Sequence, residues 1–378
     1  MPNSVFYTIV SSSYIKQALT SIESTRNFHP ESDFYIFIID LIHEYSSEQK
    51  NLFICSLHNL RKNHPEINNF YLYYNTIETI CALKPFVAKY LLNIYETVIY
   101  TDSDTFYFQN LNLNSNAIAM GGFTPHRLYP IKNRNESLNI FDSLAFKYGF
   151  FNAGFFILTI KNLDFIEWWM GKLTFSCLYA PELFLFVDQK WIDLGYHFFK
   201  LNIITDETIN IGPWNLDERC ISNSGEKYLV NNKEIKMIHF SGVSQSNNAS
   251  QINKFYSIEQ YQSMKLNTSI NNFNKLSMLW LERQKKISRE HVKTISIIEN
   301  LDRMTFDQIS FFAKNKRINN LSRGSVISKN SNLMKVIVKR VIFKLDAFLS
   351  KAQSYKFGRA YILSDFYNLK SLINRFFP

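Results

Sequence analysis

The sequence predicts an α/β protein: a mixed, mostly parallel sheet flanked by helices, followed by a helical C-terminal extension. Short apolar runs alternate with helical periodicity through roughly the first 240 residues, the signature of crossover units. The chain has 378 residues and is 46% hydrophobic, enough for a sizeable core. Beyond about residue 245 the strand signals give way to helical ones.

Taken in order, "SVFYTIVSSS" reads as the first strand and "DFYIFIID" as the second, with a helix over 14–24 between them. "NFYLYY" reads as a third strand. "ALKPFVAKYLLNIY" reads as a helix with proline in its first turn, where proline is tolerated. "TVIYTDSD", "AIAMGGF" and "FNAGFFILTI" are the next strands. "NLDFIEWWMGKL" is a helix capped by Asn162, and "MIHFSG" a late strand. The polar stretch "VSQSNNASQIN" marks a boundary near 245. The expected organisation is therefore an α/β domain over 1–245, a helical region over 246–312, and a basic linker and amphipathic tail over 313–378.

The net charge of +10 is unevenly spread. Residues 314–378 hold fourteen Lys or Arg against Asp346 and Asp365, so 1–313 are close to neutral. A basic end on a neutral body points to an anionic partner for that end and not to a nucleic-acid-binding core. Within it, "LMKVIVKRVIFKLDAFL" (333–349) places its apolar residues in one sector of a helical wheel, with Lys335, Arg340 and Lys344 outside it. Such a helix either lies on an anionic membrane surface or packs on the body. No run reaches the roughly 20 apolar residues of a membrane span, and the N-terminal segment lacks signal-peptide features. Cys55, Cys81, Cys177 and Cys220 are too dispersed for a zinc knuckle or a disulfide framework. The expected setting is cytoplasmic, peripheral to the inner membrane face.

Asp102 and Asp104 end an apolar run one residue apart. Strand alternation points both to one face at the sheet edge where open α/β folds bind ligands. Two unpaired carboxylates there raise each other's pKa, and a divalent cation, Mn²⁺ or Mg²⁺, resolves the conflict. His239, near the end of another strand, supplies a third ligand. The reading in which these are a polar turn and a core histidine stands beside it. In "FNAG", Asn152, Ala153 and Gly154 allow close approach to the backbone. Asp188 and Gln189 open a short helix, as reactive groups or as first-turn caps.

These motifs, "FNAGFF", "DQKWID", "HFSG" and the Asp-x-Asp after a strand, resemble those of the GT-A nucleotide-sugar glycosyltransferases. The likeness is to the retaining family that includes glycogenin and the bacterial lipopolysaccharide galactosyltransferases, and it covers about residues 1–245. It implies that Asp102, Asp104 and His239 bind Mn²⁺ (or Mg²⁺), which holds the diphosphate of a nucleotide-sugar donor, and that Asn152, Asp188 and Gln189 surround the transferred sugar. Lys84 matches a basic donor-contacting position. Ser103, Ala153, Gly154 and Gly242 fall within the matched motifs as substrate-binding candidates. The implied activity is sugar transfer, with retention, from a UDP-sugar to a glycan or lipid-linked glycan during cell-surface polysaccharide synthesis.

Two departures stand out. The lysine expected shortly after His-x-x-Gly is missing, with Lys84 or Arg127 as substitutes, and the first loop lacks an acid, leaving Tyr14 to stack on uracil. Trp214 and Asn215 suit a sugar face, although a structural Trp in the rigid loop "NIGPWN" is the equal alternative. The competing readings are a haloacid-dehalogenase-like phosphatase, which needs a later paired-acid strand end that is missing, and a non-enzymatic membrane-associated binding module.

Overall fold

The computed structural model describes residues 4–41, 43–70, 74–112, 121–129, 140–181, 185–225, 227–243, 256 and 264–300. The basic linker and the amphipathic segment 333–349 lie outside the described residues.

Apolar and β-branched runs form the strands β1 (Ser4–Val10), β2 (Asp33–Ile38), β3 (Ser46–Gln49), β4 (Leu52–Ser56), β5 (Thr97–Thr101), β6 (Thr105–Tyr107), β7 (Gly122–Pro125) and β8 (Phe151–Thr159). Seven shorter strands follow: β9 (Tyr179–Ala180), β10 (Leu185–Phe186), β11 (Asn202–Ile203), β12 (Ile221–Ser224), β13 (Lys227–Val230), β14 (Lys233–Glu234) and β15 (Met237–His239). Eight strands make the main sheet in the order β11-β7-β8-β5-β1-β2-β4-β3. Its pairings are parallel except where β8 runs against β5 and β7, and β3 against β4. This is the expected mixed, mostly parallel sheet.

Every residue of β1 is buried, as a sheet covered on both faces requires. Val5, Tyr7 and Ile9 join one core with Phe86 of the helix Thr76–Leu92 and Trp169 of the helix Leu163–Ser176. Phe6 and Val10 join the other with Leu19 and Ile22 of the helix Ile15–Arg26. The chain builds β1, β2 and β4 outward in one direction, then returns to place β5 on the far side of β1. That reversal is where ligands bind in open sheets, at the carboxyl ends of the strands.

Two expectations are corrected. The third parallel strand is Leu52–Ser56, pairing β2 from Phe34↔Leu52 to Ile38↔Ser56. Of the expected strand "NFYLYY", Asn69 ends the 3₁₀ helix Pro65–Asn69, and 71–73 lie outside the described residues. The short apolar run "LFICS" has the same length and composition as many buried helix turns, so periodicity alone did not separate the two. Pro85 also lies well inside its helix, which begins at Thr76 because Asn75 and Glu78 form a reciprocal capping box, Glu78 N to Asn75 Oδ1 2.9 Å and Asn75 N to Glu78 Oε2 3.0 Å. The proline therefore removes an interior helix bond.

The helix Met264–Glu290 buries Leu266, Ile270, Phe273 and Trp280 against Ile211, Ile221, Ile238 and Phe240, so residues on either side of 245 share a core. Trp280 stacks on Phe240, ring centroids 4.9 Å apart at 21°, directly after His239. Replacing Trp280 with alanine is expected to cost about 3–5 kcal/mol. Urea unfolding followed by far-UV circular dichroism should show one transition at lower midpoint; an unchanged midpoint would separate this helix from the body.

Candidate metal and donor site

The last ladder bond of β5 is Asp102 N to Gly154 O, 2.8 Å. Asp102 and Asp104 therefore sit in the turn after β5 and not on the strand itself. Thr105 closes this turn, its amide and hydroxyl donating to Asp102 O at 3.2 and 2.9 Å, and begins β6. β6 pairs antiparallel with β15, in a register that sets His239 opposite Thr105, while Phe240 N donates to Asp104 O at 2.8 Å. A two-stranded ladder thus delivers the histidine to the acids.

Asp102, Asp104 and His239 each offer a ligand atom, all within 4.8 Å of one another. His239 Nε2 lies 3.0 Å from Asp104 Oδ1 and 3.7 Å from Asp102 Oδ2. The His239 side chain is 4% exposed, whereas those of Asp102 and Asp104 are 30% and 22% exposed, so the cluster is backed by protein and open on the acidic side. Two hard carboxylates and one imidazole suit Mn²⁺, and Mg²⁺ less well because of the nitrogen.

Gly154 is essential to this arrangement. A Cβ there would lie 2.3 Å from His239 Cε1 and 2.8 Å from Asn152 Oδ1. The small residue makes room for the protein's own imidazole. Trp214 packs edge-on against that ring, centroids 5.2 Å apart at 87°, and is itself buried.

Lys84 is 3% exposed and reaches from the middle of its helix into the site. Its ammonium is 2.9 Å from Asp188 Oδ2 and 3.6 Å from Asp102 Oδ1, donates to Ala153 O at 3.0 Å, and lies 4.5 Å from the Tyr100 ring centroid. Burial disfavours its charge, but Asp102 and Asp188 outweigh burial and hold its pKa above the ordinary lysine value. Asp188 occupies the N-cap position of the helix Gln189–Phe198, yet makes no side-chain cap bond. The preceding Val187 takes a left-handed backbone, φ 41°, unusual for a β-branched residue and a mark of local strain.

Gln189 accepts from Ala153 N at 3.1 Å through Oε1 and donates to Tyr148 O at 2.7 Å. Asn152 Oδ1 accepts from Gly154 N at 3.0 Å. Asn215 accepts from Gly212 N at 3.0 Å and donates to His126 O at 3.2 Å. Ser103 donates to Gln17 Oε1 at 3.0 Å, tying the acidic turn to the helix after β1. Gly242 (φ 73°) turns the chain after His239. Tyr14 is 55% exposed in the 3₁₀ turn Ser12–Tyr14, which follows β1. Arg127 is held by Asp217 through two bonds of 2.7 and 2.9 Å.

The sequence reading missed His126 and Asn210. His126 accepts weakly from Asn152 and Gln189, 3.4 and 3.5 Å away. Burial, against the pull of the Gly149 and Phe150 carbonyls, lowers its pKa to about 4, so it stays neutral. Asn210 hydrogen-bonds His239 Nδ1 at 3.1 Å. Its only signal in the sequence was its place in the quoted "NIGPWN" loop.

No protein-family model matches the chain, and no curated protein matches it significantly. Among solved structures it is similar to mouse xyloside xylosyltransferase 1 in the apo form, 12% identical over 64% of this chain and 97% of that one, TM-score 0.37. It is also similar to the galactosyltransferase LgtC in complex with donor and acceptor sugar analogs, 12% identical over 72% and 95%, TM-score 0.38. A third is the glycosyltransferase GlyE of Streptococcus pneumoniae TIGR4, 13% identical over 78% and 64%, TM-score 0.41. At these values the reading of the site rests on its own geometry.

Two outcomes are expected. Gly154→Ala should displace His239 and weaken Mn²⁺ binding about 10–100-fold, read by titration calorimetry; unchanged affinity would mean that the ring has room to spare. The second concerns pH. Burial opposes a charged His239, but Asp104 and then Asp102 outweigh it, so the imidazole's pKa is raised. A metal must displace the Nε2 proton, so Mn²⁺ affinity should strengthen as pH rises through that raised pKa, above the ordinary value of about 6.5. The stability that the protonated histidine gives the metal-free protein runs the other way, present below about 6.5 and lost as pH rises through the folded-state pKa. Mn²⁺ affinity that is flat from pH 6 to 8 would contradict this.

Proposed function

We propose that this protein is a divalent-metal-dependent glycosyltransferase that moves a sugar, with retention, from a UDP-sugar to a glycan or lipid-linked glycan acceptor. The observation that carries this reading is the convergence of two carboxylates and an imidazole from distant segments at the carboxyl edge of a parallel sheet. A buried Lys–Asp pair lies directly beside them. A divalent cation held by Asp102, Asp104 and His239 supplies Lewis-acid neutralisation of the charge that builds on a departing diphosphate.

The chain's own residues do the rest. Asp188 and Gln189 are the wall facing the anomeric carbon, where a carboxylate stabilises oxocarbenium-like charge. Asn152, Ala153 and Gly154 shape the floor beneath the sugar, backed by Trp214 and Asn215. Lys84 acts by fixing the directions of Asp102 and Asp188. Tyr14, Ser103 and Gly242 border the nucleotide. The proposed setting is the cytoplasmic membrane face, during synthesis of a cell-surface polysaccharide such as lipopolysaccharide. No described helix is long and apolar enough to cross a membrane, and the basic segment 333–349 is the proposed contact with anionic lipid.

A thermal-shift screen of nucleotide sugars with and without Mn²⁺ tests donor and metal together. A ligand at 100 times its Kd should stabilise the fold by about 2.7 kcal/mol, with the effect dependent on Mn²⁺. Asp102→Asn, Asp104→Asn and His239→Ala should each abolish Mn²⁺-stimulated donor hydrolysis while the far-UV spectrum is unchanged. Retained stimulation in all three would refute the site.

A further inference from the structure

We infer that Asn210 is the positioning residue that holds His239 in the one tautomer and ring orientation able to meet a cation between Asp102 and Asp104. The inference rests on the metal reading above and adds to it a residue that touches no substrate.

The direction of every bond in this relay follows from one backbone amide. Gly154 N–H can only donate, so the Asn152 atom it meets at 3.0 Å is the carbonyl oxygen Oδ1. That oxygen also lies 3.0 Å from an Asn210 side-chain atom, which must therefore be the amide nitrogen Nδ2. Nδ2 makes a second bond, 2.7 Å, to Thr124 Oγ1, a hydroxyl that has its own acceptors in the Phe155 and Asn152 carbonyls, 3.3 and 3.5 Å away. The remaining end of the Asn210 amide is Oδ1, an acceptor, and it lies 3.1 Å from His239 Nδ1. Nδ1 must carry the proton. Nε2 is then the nitrogen that turns to Asp104 and Asp102, 3.0 and 3.7 Å away, and its proton is the one a metal replaces, the second-shell device by which ligating histidines are oriented.

The backbone makes Asn210 a fixed reference point. Its side chain and that of Arg219 are fully buried. Its φ of 58° is left-handed, a region asparagine enters more readily than most non-glycine residues. Arg219 Nη1 donates to the Ile209 and Asn210 carbonyls, and Asn215 Nδ2 reaches Asn210 O at 3.3 Å. The next residue, Ile211, bridges Ile238 in parallel, and His239 N donates to Ile211 O at 2.8 Å. The loop and the strand bearing the ligand therefore move as one piece, with the two side chains facing each other.

The test uses the full chain, Asn210→Gly, which keeps the left-handed backbone but removes the amide, and Asn210→Asp, which restores an acceptor for Nδ1. Mn²⁺ affinity is measured by electron paramagnetic resonance of the free ion, and the His239 tautomer by long-range proton–nitrogen NMR of histidine-labelled protein. Wild-type His239 should be protonated at Nδ1. Asn210→Gly should bind Mn²⁺ about 10–100-fold more weakly, with His239 shifting toward the Nε2–H form, and Asn210→Asp should recover the Nδ1–H signature. A folded glycine variant with wild-type Mn²⁺ affinity overturns the inference while leaving the metal site standing. Absence of Mn²⁺ binding to the wild type overturns both. If the glycine variant does not fold, the wild-type ring decides: an Nδ1 without a proton in the metal-free protein contradicts the relay.

Discussion

The buried ammonium of Lys84 is the constraint on which the site depends. It stands where water is excluded, on an interior position of its helix, and is tolerated there because Asp188 and Asp102 meet it from two other elements. Removing one member of such a cluster typically costs about 3–5 kcal/mol, because the charges left behind are uncompensated. The same contact fixes the acids. Asp102 would otherwise face Asp104 and Asp188 with no buried positive charge on its inner side, and Asp188 would be free to cap its own helix, as N-cap aspartates usually do. Instead its carboxylate is turned inward, next to the strained Val187.

Charge on the opposite side is arranged differently. His239 faces Asp104 and Asp102 with a nitrogen whose proton a metal can replace, whereas Lys84 cannot give up its charge under ordinary conditions. One side of the acidic turn is thus permanently neutralised and the other is exchangeable. The sheet makes this geometry available: β8 runs antiparallel to β5, so its first residues, Asn152 to Gly154, arrive at the edge where β5 ends. In an all-parallel sheet the start of that strand would lie at the opposite edge.

Much of this was legible in the sequence. The strand that ends just before Asp102 and those holding Gly154 and His239 are largely apolar runs, and buried strands have to be apolar on both faces. The aspartate pair and the histidine announced themselves because polar groups ending such runs are costly without a partner. What was not legible depended on contacts between distant residues. Leu52–Ser56 is too short to be told from a helix turn by pattern, and Pro85 looked like a first-turn proline because the Asn75–Glu78 cap lies ten residues upstream in a segment with little apolar periodicity. Gly154 was rightly singled out for close approach, but only coordinates reveal that an imidazole fills the space. Asn210 has no sequence signature of its own, since a buried asparagine and a loop asparagine read alike.

The central claim is that one cation is held jointly by the acidic turn and by His239. Anomalous diffraction at the manganese edge, from crystals soaked in Mn²⁺ with a UDP-sugar, addresses it most directly. The account predicts a peak within bonding distance of Asp102, Asp104 and His239 Nε2, with the diphosphate beside it. A soaked donor bound with no peak there, or a peak at the acids with His239 turned away, would contradict it.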